Sequence, residues 1–183
     1  MFTLILGGAR SGKSRLAQQL ALPARRVSYM ATARVDQDAE MAERIAQHRA
    51  GRPDSWRTIE EPLALADAVE AAAPESDAVL IDCLTIWLSN VFWEHRNGPP
   101  RQVEEAARTE LQRIAVAARR CHLIAVSNEL GCGTVPEAAV TRAFRDAQGR
   151  LNQWAAEAAD EVILTVAGLP LYLKKAPPEE GSR

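Results

Sequence analysis

Thr3-Leu4-Ile5-Leu6 runs straight into Gly7-Gly8-Ala9-Arg10-Ser11-Gly12-Lys13-Ser14, an apolar strand-like stretch followed by the pattern Gly-x4-Gly-Lys-Ser. The pattern has a chemical reason. Glycines let successive backbone N–H groups curl round phosphate oxygens, the lysine offsets charge at the β- and γ-phosphates, and the serine hydroxyl can ligate Mg2+. The context fits as well: Ser14 to Ala21 is a good helix former, and Pro23 stops it. Strand, glycine loop and helix in that order predict a loop that binds a nucleoside triphosphate.

Beyond the loop, apolar runs rich in β-branched residues alternate with helical patterns, the arrangement of a parallel sheet with crossover helices. Strands are expected near 2–6, 26–30, 56–59, 77–82, 122–127 and 161–167, with a hairpin partner at 169–173. Ala78-Val79-Leu80-Ile81 and Leu123-Ile124-Ala125-Val126 do not alternate, as befits strands covered on both faces in mid-sheet. Helices are expected at 14–21, 36–50, 62–72, 83–94, 102–120 and 137–159. In the last, Val140, Phe144, Ala147, Leu151, Ala155 and Ala158 form one apolar stripe. The stripe Leu84, Trp87, Leu88, Val91 and Phe92 reads as core or subunit interface, and 96–101 as a loop. The fold class expected is α/β, a mostly parallel sheet flanked by helices, in one nucleotide-handling domain over 1–175 with a frayed polar tail at 176–183.

Composition narrows the function classes. A chain of 183 residues is long enough to bury a large core without staples. Its formal net charge of -2, with no Lys/Arg-rich block, gives no electrostatic footprint for nucleic acid and suits a small polyanionic substrate. Cys83, Cys121 and Cys132 are widely separated, which argues against a disulfide framework or a structural zinc and for a reduced, cytoplasmic compartment. No apolar run approaches membrane-spanning length, and no signal peptide is expected.

Several residues stand out chemically. Asp82 closes an apolar strand, where proteins with such a loop keep the acid that holds Mg2+, although an aspartate there can also cap the next helix. His48 shares one face of the 36–50 helix with Met41 and Ile45, and periodicity alone favours a hydrogen-bonded core histidine over a catalyst. His95 and His122 have weaker claims. The segment 127–136 (SNELGCGTVP) follows a central strand, outside whose C-terminal end ligands of open α/β sheets bind, and a plain turn would use the same residues. Arg142 and Arg145 are spaced equally well for clamping phosphate and for a solvated face with Asp146.

Taken together, the motifs resemble those of the bifunctional adenosylcobinamide kinase / adenosylcobinamide-phosphate guanylyltransferase family. The landmarks occur in order: the glycine loop, Tyr29-Met30-Ala31-Thr32-Ala33, the 44–53 run RIAQHRAGRP, Asp82-Cys83-Leu84-Thr85, Ser127-Asn128-Glu129, and Phe144-Arg145-Asp146 leading to Gly149-Arg150-Leu151-Asn152. The similarity covers roughly residues 2–174. It implies a P-loop, RecA-like sheet, a homotrimer and two reactions. ATP or GTP phosphorylates adenosylcobinamide; then a histidine takes GMP from GTP and passes it to the substrate phosphate, giving adenosyl-GDP-cobinamide. By this resemblance His48 becomes the nucleophile and Lys13 a catalytic charge. Nucleotide contacts fall on Gly7, Gly8, Ala9, Arg10, Ser11, Gly12, Lys13 and Ser14, on Ala31, Thr32 and Ala33, on Arg49, Ala50, Gly51 and Arg52, and on Glu60 and Asp82. Ser14 and Asp82 would hold Mg2+. Two other readings stay open from the residues alone: a P-loop kinase of another small metabolite without guanylyltransferase activity, and a nucleotide-driven switch.

Overall fold

The computed structural model describes residues 1–34, 51–96 and 98–175. The expected 36–50 helix with His48, together with Arg49, Ala50 and the 176–183 tail, lies outside the described residues. Seven strands form one sheet in the order β3-β2-β4-β5-β1-β6-β7. They are β1 Phe2–Gly7, β2 Val27–Ala31, β3 Arg57–Glu60, β4 Ala78–Asp82, β5 His122–Asn128, β6 Glu161–Val166 and β7 Leu169–Lys174. All pairings are parallel except β6 with β7. The two non-alternating runs, β4 and β5, are interior strands. The expected hairpin partner is β7, joined to β6 by Ala167 (φ 52) and Gly168 (φ 80). Two consecutive positive φ values give the turn whose twist matches that of its strands.

Strand periodicity divides the core between the two faces of the sheet. Leu4, Leu6, Val79, Ile81, Leu123 and Ala125 face one cluster, which also buries α2 Leu65–Ala72, α3 Leu84–Glu94, α4 Pro100–Ala117 and α5 Ala139–Ala158. Ile5, Tyr29, Leu80, Ile124 and Val126 face the other, against Ala17 and Ala21 of α1 Lys13–Ala21. Leu84, Trp87 and Leu88 are fully buried, so the α3 stripe is core, and the Trp87 indole donates to Leu63 O at 2.9 Å.

Two boundaries and one apolar stripe differ from expectation for local reasons. Residues 62–64 are not yet helical, because the Glu61 carboxylate accepts from Leu63 N and Ala64 N, each at 2.8 Å, and holds a turn there. The loop before α4 is shorter, since Pro100 sits in the first turn, where its fixed φ suits a helix. Along α5, Ala147, Leu151 and Ala155 are buried, but Val140 is 65% exposed and Ala158 is exposed. A 20-residue helix is about 30 Å long, while a six-residue strand is about 20 Å, so the ends overhang the sheet.

Candidate active site

The glycine loop leaves β1 at Gly7, whose carbonyl accepts from Glu129 N at 3.1 Å. A Cβ on Gly7 would stand 2.7 Å from the Thr165 carbonyl oxygen of β6, so only glycine fits between these strands. Gly12 enters α1 with φ 94, a left-handed conformation that glycine adopts without strain. Ser11 N donates to Gly8 O at 3.3 Å and the Lys13 ammonium donates to the same carbonyl at 2.9 Å. No side chain caps α1, so its first-turn N–H groups remain open for an anion. The loop is also braced from outside. Gly168 N, in the β6–β7 turn, donates to Ser11 O at 2.8 Å.

Asp82 at the end of β4 meets this loop directly. Ser14 Oγ donates to Asp82 Oδ1 at 3.3 Å and the Tyr29 hydroxyl donates to Oδ2 at 2.7 Å. Asp82 is not the cap of α3: that position belongs to Cys83, whose Sγ accepts from Ile86 N at 3.4 Å. Burial pulls Lys13 below the usual lysine value, and nearby negative groups oppose the shift. At neutral pH the opposing charge is Asp82, because burial pushes the Cys83 thiol up to about 11 and keeps it neutral. A hydroxyl and a carboxylate oxygen side by side suit Mg2+, which takes hard oxygen ligands and keeps several waters.

Arg52 joins the cluster by an unexpected route, its guanidinium lying over the Tyr29 ring at 3.8 Å. The Gly51-Arg52-Pro53 segment is thus tied through Tyr29 to Asp82. Sequence reading quoted Tyr29 only as a landmark. The signal available was a phenol on a buried strand, two residues from Ala31, which pairs with Asp82.

The other candidate residues sort by what their polar groups already do. Thr32 fastens the end of β2, its hydroxyl donating to Cys83 O at 2.8 Å and accepting from Cys83 N at 2.9 Å. Ala31 pairs with Glu60 at the ends of β2 and β3, and Ala33 follows half-buried. Gly8, Ala9 and Arg10 form the exposed tip of the glycine loop. Asn128 and Glu129 adjoin Gly7, and a buried network supports them: Ser127 Oγ donates to Asn152 Oδ1 at 2.6 Å, and Asn152 Nδ2 donates to Asn128 O at 3.0 Å. Gln148, which sequence reading missed, completes it by donating to Ser127 Oγ at 2.9 Å. Arg142 and Arg145 donate to carbonyls of Pro136 and Thr134 and hold the 134–137 loop on α5, and Arg145 lies 3.9 Å from the Asp146 carboxylate, the partner its spacing offered. His122 hydrogen-bonds the Thr3 hydroxyl at 3.0 Å, away from the glycine loop, and His95 ends α3.

A glycine loop between a buried strand and an uncapped helix, with a strand-end aspartate reached by the loop serine, defines a P-loop NTPase of mostly parallel sheet. One strand, β5, separates the loop strand from the aspartate strand. The chain belongs to the cobinamide kinase / cobinamide phosphate guanyltransferase family, whose model matches residues 3–173. It is 46% identical to the bifunctional adenosylcobalamin biosynthesis protein CobP of Pseudomonas aeruginosa, over 97% of this chain and 99% of that protein. With the bifunctional protein CobU of Escherichia coli it shares 39% identity over 95% of this chain and 100% of the relative. CobU of Salmonella typhimurium gives 41% over the same shares. Among solved structures, an ATPase of a bacterial type III secretion system superposes with a TM-score of 0.59 at 14% identity. That match covers 89% of this chain and 51% of the ATPase, so the chain spans about half of the ATPase's length, and the likeness is one of fold.

Proposed function

We propose that the chain phosphorylates adenosylcobinamide with ATP or GTP and then guanylylates the product through His48, acting as a cytoplasmic homotrimer. The observation that carries this reading is the line Arg52–Tyr29–Asp82–Ser14, which ties the Gly51-Arg52-Pro53 segment to the P-loop. His48 is four residues before Arg52, and four residues of chain span at most about 14 Å. One nucleotide site can therefore serve both reactions.

In the first reaction the acceptor hydroxyl attacks the γ-phosphorus, and the bond to the bridging oxygen breaks. Lys13 and the open N–H groups of α1 take up charge on the phosphates, with Arg49 and Arg52 as further cations. Ser14 and Asp82 would hold Mg2+, which would supply charge neutralisation on the phosphate oxygens. In the second reaction a neutral His48 nitrogen attacks the α-phosphorus of GTP. Pyrophosphate leaves, and a P–N bond holds GMP on the enzyme. A phosphate oxygen of the acceptor then attacks the same phosphorus, the imidazole departs, and a diphosphate results. The remaining loop residues, Ala31 to Ala33, Ala50, Gly51 and Glu60, line the nucleotide in this reading.

Incubation with GTP labelled at the α-phosphate tests it. The enzyme should retain label after denaturation, and the label should be acid-labile and alkali-stable, as a P–N bond is. His48→Ala should lose GMP transfer and still bind triphosphate at the P-loop. Label recovered on His95, His122 or a lysine, or full transfer by His48→Ala, refutes the assignment.

A further inference from the structure

An open groove of about 480 Å3 runs between the end of α3 and the start of α5. Phe92, Trp93, Val140 and Phe144 form its apolar wall, flanked by Arg34 and Arg96. The wall is ordered: Phe92 and Phe144 meet edge to face at 5.6 Å, and the Arg96 guanidinium lies 4.7 Å from the Trp93 ring. It is also wet, with Trp93 61% and Val140 65% exposed. Large apolar side chains gathered in water beside cations mark a binding surface. Its electrostatics favour an anion, because two arginines flank it and the α5 N-terminus, which no side chain caps, opens beside Val140 and Thr141.

Hydrogen bonds link the groove to the strand end that carries Asp82. Asn90, which lines the groove, donates to Thr32 O at 2.8 Å, and Thr32 N donates to Asp82 O at 3.4 Å. Arg34 stands two residues beyond Thr32 and is held to Glu94 at 2.6 Å. Such a half-exposed pair is weak, so a phosphate can take the guanidinium from the carboxylate. The P-loop provides for the triphosphate, which leaves the groove for the other substrate.

We propose that this groove is the acceptor site and takes the corrin edge of cobinamide and of cobinamide phosphate. This rests on the activity proposed above. The methyl-bearing edge of the macrocycle packs on Trp93, Val140 and Phe144, its carboxamide arms meet the Ser89 and Thr141 hydroxyls, and the arm that carries the phosphate passes Arg34 toward the P-loop.

Two variants and two readouts test the proposal. Val140→Trp, at an exposed position, fills the groove. It should raise KM for the phosphorylated acceptor in GMP transfer at least tenfold and weaken binding of the coloured cobinamide in equilibrium dialysis by a similar factor. Labelling of the enzyme by GTP without acceptor should stay within twofold of wild type. Arg34→Gln should raise KM for the phosphorylated acceptor more than KM for cobinamide in the kinase reaction. Acceptor KM and dialysis affinity within twofold of wild type in Val140→Trp overturn the proposal. So does a changed sedimentation coefficient with unchanged acceptor binding, which would make the groove a contact between copies. A wild-type enzyme that takes no label from GTP sinks the activity proposed above instead, and dialysis, which needs no turnover, still judges the groove.

Discussion

Replacing Tyr29 by phenylalanine removes one oxygen atom from the centre of the site and leaves the ring in place. The side chain is 2% exposed, and its hydroxyl donates to Asp82 Oδ2 at 2.7 Å. Burial, reinforced by the neighbouring Asp82, pushes the phenol far above its usual value, so it remains a donor across any practical pH. A hydrogen bond to a charged acceptor contributes about 1.5–3 kcal/mol. No large cavity adds to this, because the ring still packs with Ile5, Val27 and Leu80 and still lies under Arg52. At about 2–4 °C per kcal/mol for a chain of this size, the melting temperature should fall by roughly 3–12 °C. Asp82 also loses a hydroxyl that helps to fix its carboxylate, so half-saturating Mg2+ for labelling by GTP should rise. Thermal unfolding and an Mg2+ titration of labelling read the two effects. A Tyr29→Phe enzyme with the wild-type melting temperature and the wild-type Mg2+ requirement would refute the claim that this hydroxyl holds Asp82.

Lys13→Ala should abolish triphosphate binding, measured by equilibrium dialysis with labelled GTP, because backbone N–H groups alone do not offset the β/γ charge; near wild-type turnover in either reaction would remove the P-loop from that reaction. Asp82→Asn offers one acceptor oxygen to two hydroxyl donors and loses the charge, so the Mg2+-dependent rate should fall on the order of 100-fold or more; an unchanged metal dependence would remove Asp82 from the metal site. Gly7→Ala drives a Cβ against the Thr165 carbonyl, and urea unfolding should show a loss of about 1–3 kcal/mol, whereas no loss would mean that β1 and β6 can part freely. Burial, with the N-terminal ammonium, lowers the His122 pKa below the ordinary 6.5, so the unfolded chain binds the proton more readily. The associated stability is complete above pH 6.5 and is lost as pH falls through 6.5 toward the folded value. Urea midpoints should decline less steeply on acidification in His122→Gln, and identical slopes would exclude this histidine as the cause.

The strands were legible because burial on both faces writes itself as unbroken apolar runs: β4 and β5 lie within a residue or two of their expected bounds. The P-loop and Asp82 were legible because phosphate chemistry restricts residue types at fixed spacing. What sequence did not carry is contact between segments far apart in the chain. Tyr29 reads as a core strand residue until β2 is laid beside β4, and Gly168 reads as a turn until the hairpin touches Ser11. Gln148 was hidden for a similar reason, since a polar residue on a helix reads as solvated, whereas here it is fully buried against Ser127. Arg142 and Arg145 were ambiguous for the same reason: their spacing shows neither the 134–137 carbonyls nor the approach to Asp146 that the fold supplies.

The position of β1 between β5 and β6 has a consequence for synthesis. β1 pairs with strands made more than a hundred residues after it, so the glycine loop waits for β5 and β6. Until residue 168 emerges, the Ser11 carbonyl lacks the N–H that braces it and one edge of β1 is bare. Nucleotide can therefore reward only a polypeptide that has passed β6, and a chain that stalls within α5 presents an open apolar edge to chaperones and proteases with no ligand to protect it.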